Sequence, residues 1–238
     1  MNVMTRAEQE AALRTPTEQR EHERLEVAAH YEHDPAIFSM VLDRQLTYST
    51  GIFLDANEDL ETAQQRKFAR VRQLLNIRPG DRVLDVGCGW GSLLLNLAEH
   101  TPGVLRGITL SEQQRAAVLQ RAQERGLAGR VQADCCHIED LDLQADSLDV
   151  VLFSGSVVHM HHREQIYALV GQALRPGGRL LVSDCFFPKQ IRGDRGSDAT
   201  HYIFVRALGY CRLQGLAEEL SLMEAAGLDI RSVEDLTE

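Results

Sequence analysis

The sequence lacks any surplus of positive charge. Lysine and arginine number 25 against 35 acidic residues, which gives a formal net charge of -10 and a pI near 5.4. Nucleic acid and anionic membrane surfaces both call for a basic footprint, so neither is an expected partner. No apolar run reaches the roughly 18–20 residues of a membrane span. Residues 1–26, MNVMTRAEQEAALRTPTEQREHERLE, are polar and rich in glutamate. They hold neither the apolar centre of a secretory signal nor the acid-poor composition of a transit peptide, and a cytoplasmic protein is expected. The cysteines Cys88, Cys135, Cys136, Cys185 and Cys211 are odd in number and include no Cys-x-x-Cys. That excludes a disulfide framework and leaves reduced thiols as the reading. Internal repeats and low-complexity segments are also missing.

What the chain does have is alternation. Residues 1–28 read as charged helices, with Pro16 expected to interrupt them. The aromatic and histidine-rich stretch 30–53, HYEHDPAIFSMVLDRQLTYSTGIF, reads as a short helix and a loop. From Leu60 to Asn76, apolar residues recur at helical spacing. Beyond the turn at 78–81, strands are expected at 83–86, 104–110, 131–133, 149–153 and 179–184, with a last one at 228–233. Helices are expected at 92–100, 111–126, 163–174 and 213–226, with Arg175-Pro176-Gly177-Gly178 closing the third of these. This order implies an α/β fold: a doubly wound, mostly parallel sheet with helices on both faces. Residues 1–59 would form a helical cap or lid, and 60–238 the ligand-binding unit.

In such a sheet the ligand lies beyond the carboxyl ends of the strands, near the switch in strand order. The turn after the first strand, Gly87-Cys88-Gly89-Trp90-Gly91, sits there. Its spacing is G-x-G-x-G, whereas a dinucleotide fingerprint is G-x-G-x-x-G. Asp85 precedes the glycines within the strand. A carboxylate there suits a cation better than a pyrophosphate. S-adenosylmethionine (SAM) carries an ammonium and a sulfonium and no phosphate. Asp134, near the end of the third strand, has a carboxylate that can accept from an exocyclic adenine amine; a turn cap is the plainer use of it.

Together, LDVGCGWGS (84–92), TYSTGIF (47–53), LLNIRPGD (74–81) and GITLSEQQ (107–114) resemble the class I SAM-dependent methyltransferases, and within them the cyclopropane-fatty-acid-synthase-like group. The resemblance covers residues 30 to about 185. It implies a Rossmann-like domain with SAM as methyl donor. It further implies that Tyr48 and Ser49 close over the methionine end, and that Gly87 and Gly89 lie under the carboxylate and sulfonium side. Thr109 and Gln114 would bind the ribose hydroxyls, and Asp134 and Cys135 would flank the adenine. The departures matter as much. Thr50 stands where cyclopropane synthases have cysteine, Val158-His159 where they have Glu-His, and Ser183-Asp184-Cys185 where they have a histidine. The bicarbonate site of that chemistry looks dismantled, so a small-molecule acceptor of secondary metabolism is expected instead of lipid cyclopropanation.

Methyl transfer is mainly a positioning problem, with a base to take the nucleophile's proton. His159, after the fourth strand, is the first candidate base, against an equally ordinary structural role. Tyr31 is a candidate gate over the reacting end, and Tyr202 a candidate acceptor-side residue. His159-Met160-His161-His162 does not present its histidines on one face, so no metal is expected. In small-molecule relatives a segment like DIRSVEDLTE leads into a lid helix and a seventh strand, whereas this sequence stops at Glu238. An edge left so would be covered by the N-terminal arm or by a second copy, making a homodimer a candidate. The same feature raises an alternative with no acceptor. SAM's own amine would displace at its γ-carbon, giving azetidine-2-carboxylate and methylthioadenosine, with Tyr31, Ser156 and Tyr202 managing the amine. A third reading is a non-catalytic subunit of the same fold.

Overall fold

The computed structural model describes residues 15–31, 35–187 and 214–236. Two helices come first, α1 (Pro16–Tyr31) and α2 (Pro35–Ser39), followed by α3 (Leu60–Leu75). Strands and helices then alternate: β1 (Arg82–Val86), α4 (Ser92–His100), β2 (Val104–Thr109), α5 (Glu112–Glu124), β3 (Val131–Cys135), β4 (Leu148–Ser154), α6 (Arg163–Ala173), β5 (Leu174–Ser183) and α7 (Leu216–Ala225). The sheet has the order β3-β2-β1-β4-β5, and every pairing is parallel. The chain moves outward from β1 through β2 and β3, then returns to the far side of β1 at β4. The switch point is therefore the gap between β1 and β4, where a crevice opens beyond the strand ends.

The strands bury both faces, as a parallel sheet covered by helices must. Side chains alternate along a strand, so Val83 and Asp85 share one face of β1 while Leu84 and Val86 share the other. Val83 packs with Phe68, Leu75, Leu94, Leu97 and Val118 from α3, α4 and α5. Leu84 and Val86 pack with Phe153, Ile166 and Val170 on the α6 side. No helix among the described residues is long and apolar enough to cross a membrane.

The break expected at Pro16 falls at a helix start; the structure departs from the sequence expectation in two places, at 175–178 and 228–233. Pro16 is the first residue of α1. Thr15 Oγ1 accepts from the Glu18 amide at 3.3 Å, and the Glu18 carboxylate accepts from the Thr15 amide at 2.8 Å. This reciprocal pair satisfies two of the amides that a helix start leaves free, and proline lacks the N–H that would otherwise need a partner. Arg175–Gly178 is not a terminating turn but an irregularity inside a longer β5. The register steps from Leu148↔Leu174 to Val150↔Arg179, and Gly177 takes φ +77° to make the step. The strand expected at 228–233 does not form. Among the described residues that segment finds no ladder partner, and it lies largely exposed, held beside α3 by an Arg70–Glu234 ion pair.

A buried ion pair fixes α7 to α6. Arg163 Nη1 lies 2.8 Å from Glu219 Oε2, and the Tyr167 hydroxyl donates to Glu219 Oε1 at 2.5 Å. Glu219 is fully buried. Removing one member strands the other charge in the interior, so Glu219→Ala is expected to lower stability by roughly 3–5 kcal/mol in urea unfolding. A loss under about 1 kcal/mol would mean that the pair is not buried as described.

Candidate active site

The crevice is built first by the turn after β1. Gly87 takes φ +78°, and a Cβ placed on it would lie 2.5 Å from Ser156 Cβ. Only a residue with no side chain lets the β1 and β4 loops approach so closely. The Gly87 and Cys88 amides both donate to the Ile108 carbonyl at 2.9 Å. The Ser156 hydroxyl donates to the Val86 carbonyl at 2.6 Å. Its proton is thereby committed to holding the two loops together, a structural task where the sequence suggests a catalytic one.

A cleft opens above this turn, at the place where open α/β sheets bind their ligands. Tyr48, Ser49, Asp85, Gly87, Gly89, Thr109, Gln114, Ser156 and His159 all line it. The Thr109 hydroxyl donates to Gln114 Oε1 at 2.5 Å, which fixes the amide and leaves its Nε2 donors for a ligand. Tyr202 lies outside the described residues, and of Tyr31 only the backbone, at the end of α1, is described. Asp134 and Cys135 do not line this cleft; they border an adjoining surface pocket that shares Cys136 with it. Arg106 Nε binds Asp134 Oδ2 at 2.6 Å on the outer part of the sheet. Cys136, His137 and Ile138, just past the strand, line the cleft in their place.

Asp85 is the electrostatic centre of the cleft. It is 2% exposed, and among the described residues nothing donates a hydrogen bond to its carboxylate. Burial alone pushes its pKa up to about 7. An ionised carboxylate without a partner is costly in such a place, and a cation entering the cleft would relieve that cost.

Three further residues, Glu23, Trp90 and Asp184, contribute where the sequence assigned them no role. Glu23 of α1 reaches the cleft wall. Its carboxylate bridges His137 Nε2 at 3.0 Å and His161 Nδ1 at 2.6 Å. Burial works to raise its pKa, but the two histidine hydrogen bonds prevail and hold it at about 2. Glu23 is one acid among many on a charged helix; only its placement beside two histidines distinguishes it. Those histidines thus fasten α1 to the cleft, and among the described residues no His, Cys, Asp or Glu cluster could hold a metal ion. Trp90, within the glycine turn, is buried against Phe38 with ring centroids 5.5 Å apart, and its Nε1 has no partner among the described residues. Asp184, at the end of β5, accepts from the Val157 and Val158 amides at 2.8 and 3.4 Å. It therefore holds the short helical turn 157–159 that carries His159. Burial raises the Asp184 pKa to about 6, against the pull of those amides.

The depressed pKa of Glu23 implies stability that is present above the ordinary carboxylate range and lost as pH falls toward 2. Glu23→Gln is expected to lower stability by about 1–3 kcal/mol at pH 7. Urea unfolding should show that deficit shrinking as pH falls from about 4.5 to about 3, whereas a deficit independent of pH would contradict the bridge.

The family model for mycolic acid cyclopropane synthetase matches residues 18–237. The chain is 31% identical over 180 residues to a tuberculostearic acid methyltransferase of Mycobacterium tuberculosis, covering 73% of this chain and 42% of that protein. It is 31% identical over 188 residues to the 27-O-demethylrifamycin SV methyltransferase of Amycolatopsis mediterranei, covering 79% of this chain and 68% of that one. A mycolic acid cyclopropane synthase solved with SAH and CTAB superposes with a TM-score of 0.79 at 26% identity, over 90% of this chain and 77% of that chain. The chain spans about half the length of the fatty-acid-type methyltransferases that it matches.

Proposed function

We propose, because this chain belongs to the mycolic acid cyclopropane synthetase family, that it is a SAM-dependent methyltransferase of a small-molecule acceptor. The observation that carries the reading is Asp85, a buried carboxylate without a described donor at the sheet's switch point. It is complementary to the ammonium of SAM. The related cyclopropane synthase binds SAH, and the relatives include a tuberculostearic acid methyltransferase and a 27-O-demethylrifamycin SV methyltransferase. The glycine turn, Thr109 and Gln114 supply close backbone approach and amide donors suited to a nucleoside.

SAM supplies a methyl carbon whose bond to sulfur breaks with the electron pair, leaving a neutral thioether. The chain's part is alignment, water exclusion and proton removal. Trp90 and the loop from Leu46 to Ser49 wall the cleft. His159, held by Asp184, stands at the rim of β4 where an acceptor would enter. It would take the proton of a hydroxyl or amine nucleophile as that atom bonds the methyl carbon. Lipid cyclopropanation has less support. The Asp184 carboxylate is occupied in fastening the 157–159 turn, and Thr50 and Val158 replace the cysteine and glutamate of that chemistry.

The test is product analysis by mass spectrometry. SAM is incubated alone and with a panel of phenols, macrolide alcohols and amines. Transfer predicts SAH only when an acceptor is present, with the acceptor about 14 mass units heavier, the mass of one CH₂ unit. Methylthioadenosine with azetidine-2-carboxylate from SAM alone would overturn it in favour of self-cyclisation.

A further inference from the structure

The cleft holds two acidic groups, Glu23 and Asp85, and among the described residues no lysine or arginine lines it. A lysine stands directly behind the part of the wall that Ser49 forms. Lys67, on the buried face of α3, is 4% exposed, and its Nζ donates to Ser49 Oγ at 2.8 Å. Gln64, one turn earlier on that face, donates to the Ser49 carbonyl at 2.7 Å. Helix α3 thus grips Ser49 by both its backbone and its side chain. Among the described residues, no carboxylate lies within ion-pair distance of Lys67. Its charge is buried with Ser49 as its one described hydrogen-bond acceptor and the Phe68 ring centroid 5.6 Å away, and burial brings its pKa down to about 8 against the opposing pull of Asp43. Thr47, two residues before Ser49, is buried on the cleft wall, and its hydroxyl has no partner among the described residues.

Ser49 also stands where a ligand's tail would reach it. A Cβ on Gly155 would lie 3.2 Å from Ser49 Cβ, and Gly155 follows β4 directly. On one side β4 pairs with β1, with Leu152 opposite Asp85. Ser49 therefore hangs over the same strand ends as Asp85. A lone pair of Ser49 Oγ is taken by the ammonium, so the hydroxyl hydrogen is left to donate.

We propose that Lys67 is a positioning residue that acts through Ser49, holding its hydroxyl as a donor into the cleft and placing a buried positive charge behind it for the ligand's α-carboxylate. The zwitterionic tail of SAM would then lie between Asp85, which faces the ammonium, and the Ser49–Lys67 pair, which faces the carboxylate. The inference rests on the SAM reading, and the ligands of its test separate the two.

Calorimetry would compare SAH with its decarboxylated form, S-adenosyl-3-thiopropylamine, on the whole chain and on Lys67→Met and Ser49→Ala. Charge-assisted hydrogen bonding predicts that Lys67→Met weakens SAH by about tenfold or more and the decarboxylated ligand by less than about threefold. Ser49→Ala should show the same selectivity, and it keeps the test in force if Lys67→Met folds poorly. Adding Lys67→Met to Ser49→Ala should cost less than Lys67→Met costs alone, because the part of its effect that runs through the serine is already lost. Equal losses for both ligands would make Lys67 merely structural and overturn the proposal. Failure of the unsubstituted chain to bind either ligand would overturn the SAM reading, and this inference with it.

Discussion

The Asp85→Asn substitution is expected to weaken SAM binding by about a hundredfold or more, the cost of losing a buried charge-assisted contact. It should also make the ligand-free protein more stable. Asp85 is 2% exposed, and its pKa is raised from 3.8 to about 7 by burial. A raised pKa means stability that is fully present below the unfolded value and lost as pH rises through the folded one. Above about pH 7 the native state holds an ionised, buried carboxylate, at an order-of-magnitude cost of about 2–4 kcal/mol. Asparagine avoids that charge but still buries a polar amide, so a net gain of about 1–3 kcal/mol is expected at about pH 8. The gain should fade toward about pH 4, and melting curves at both pH values would show it. A variant that loses both SAM affinity and stability at the higher pH would point to Asp85 as a structural group.

Gly87→Ala is expected to abolish SAM binding and to cost about 3 kcal/mol or more of stability. Two effects combine. The φ of +78° strains any residue with a Cβ by about 1–2 kcal/mol. The Cβ would also meet Ser156 Cβ at 2.5 Å, which pushes Ser156 away from the Val86 carbonyl it holds. Gly80→Ala is the internal control. Gly80 has φ +85°, but nothing lies within 4 Å of the place its Cβ would take, so only the strain of about 1 kcal/mol should appear. A second substitution, Ser156→Gly, should recover much of the stability lost in Gly87→Ala while forfeiting the hydrogen bond to Val86. Urea unfolding of Gly80→Ala, Gly87→Ala, Ser156→Gly and the double variant separates strain from collision. Equal costs at Gly80 and Gly87 would contradict the close approach of the two loops.

The alternation of strands and helices is legible because each buried strand is a short apolar run bounded by turn residues. The glycine turn is legible because positive φ and close approach both demand glycine. Register is what the sequence hides. Asp134 reads as a ligand residue from its place at a strand end, but Arg106 lies opposite Gln132 on the neighbouring strand, with Ile108 opposite Asp134. Arg106 and Asp134 are thus diagonal neighbours across the ladder, and they form an ion pair on the outer part of the sheet. The residues just past the strand, from Cys136 on, turn into the cleft. Glu23 is hidden for a similar reason: its partners lie 114 and 138 residues further along the chain. The strand expected at 228–233 has the right alternation, yet alternation needs a neighbouring ladder before it becomes a strand. Pro16 reads as a breaker because proline's missing N–H is harmful inside a helix, and it stands at the first position of α1, where that absence costs nothing.

The central claim is that Asp85 binds a cation of SAM, and calorimetric titration with SAH across pH tests it most directly. Because the cleft carboxylate must be ionised to bind, affinity should rise about twentyfold from about pH 5.5 to about pH 7.5, with proton release on binding below about pH 7. In Asp85→Asn that pH dependence should vanish. Tight binding that is flat across this range, or that keeps its slope in Asp85→Asn, would contradict the account.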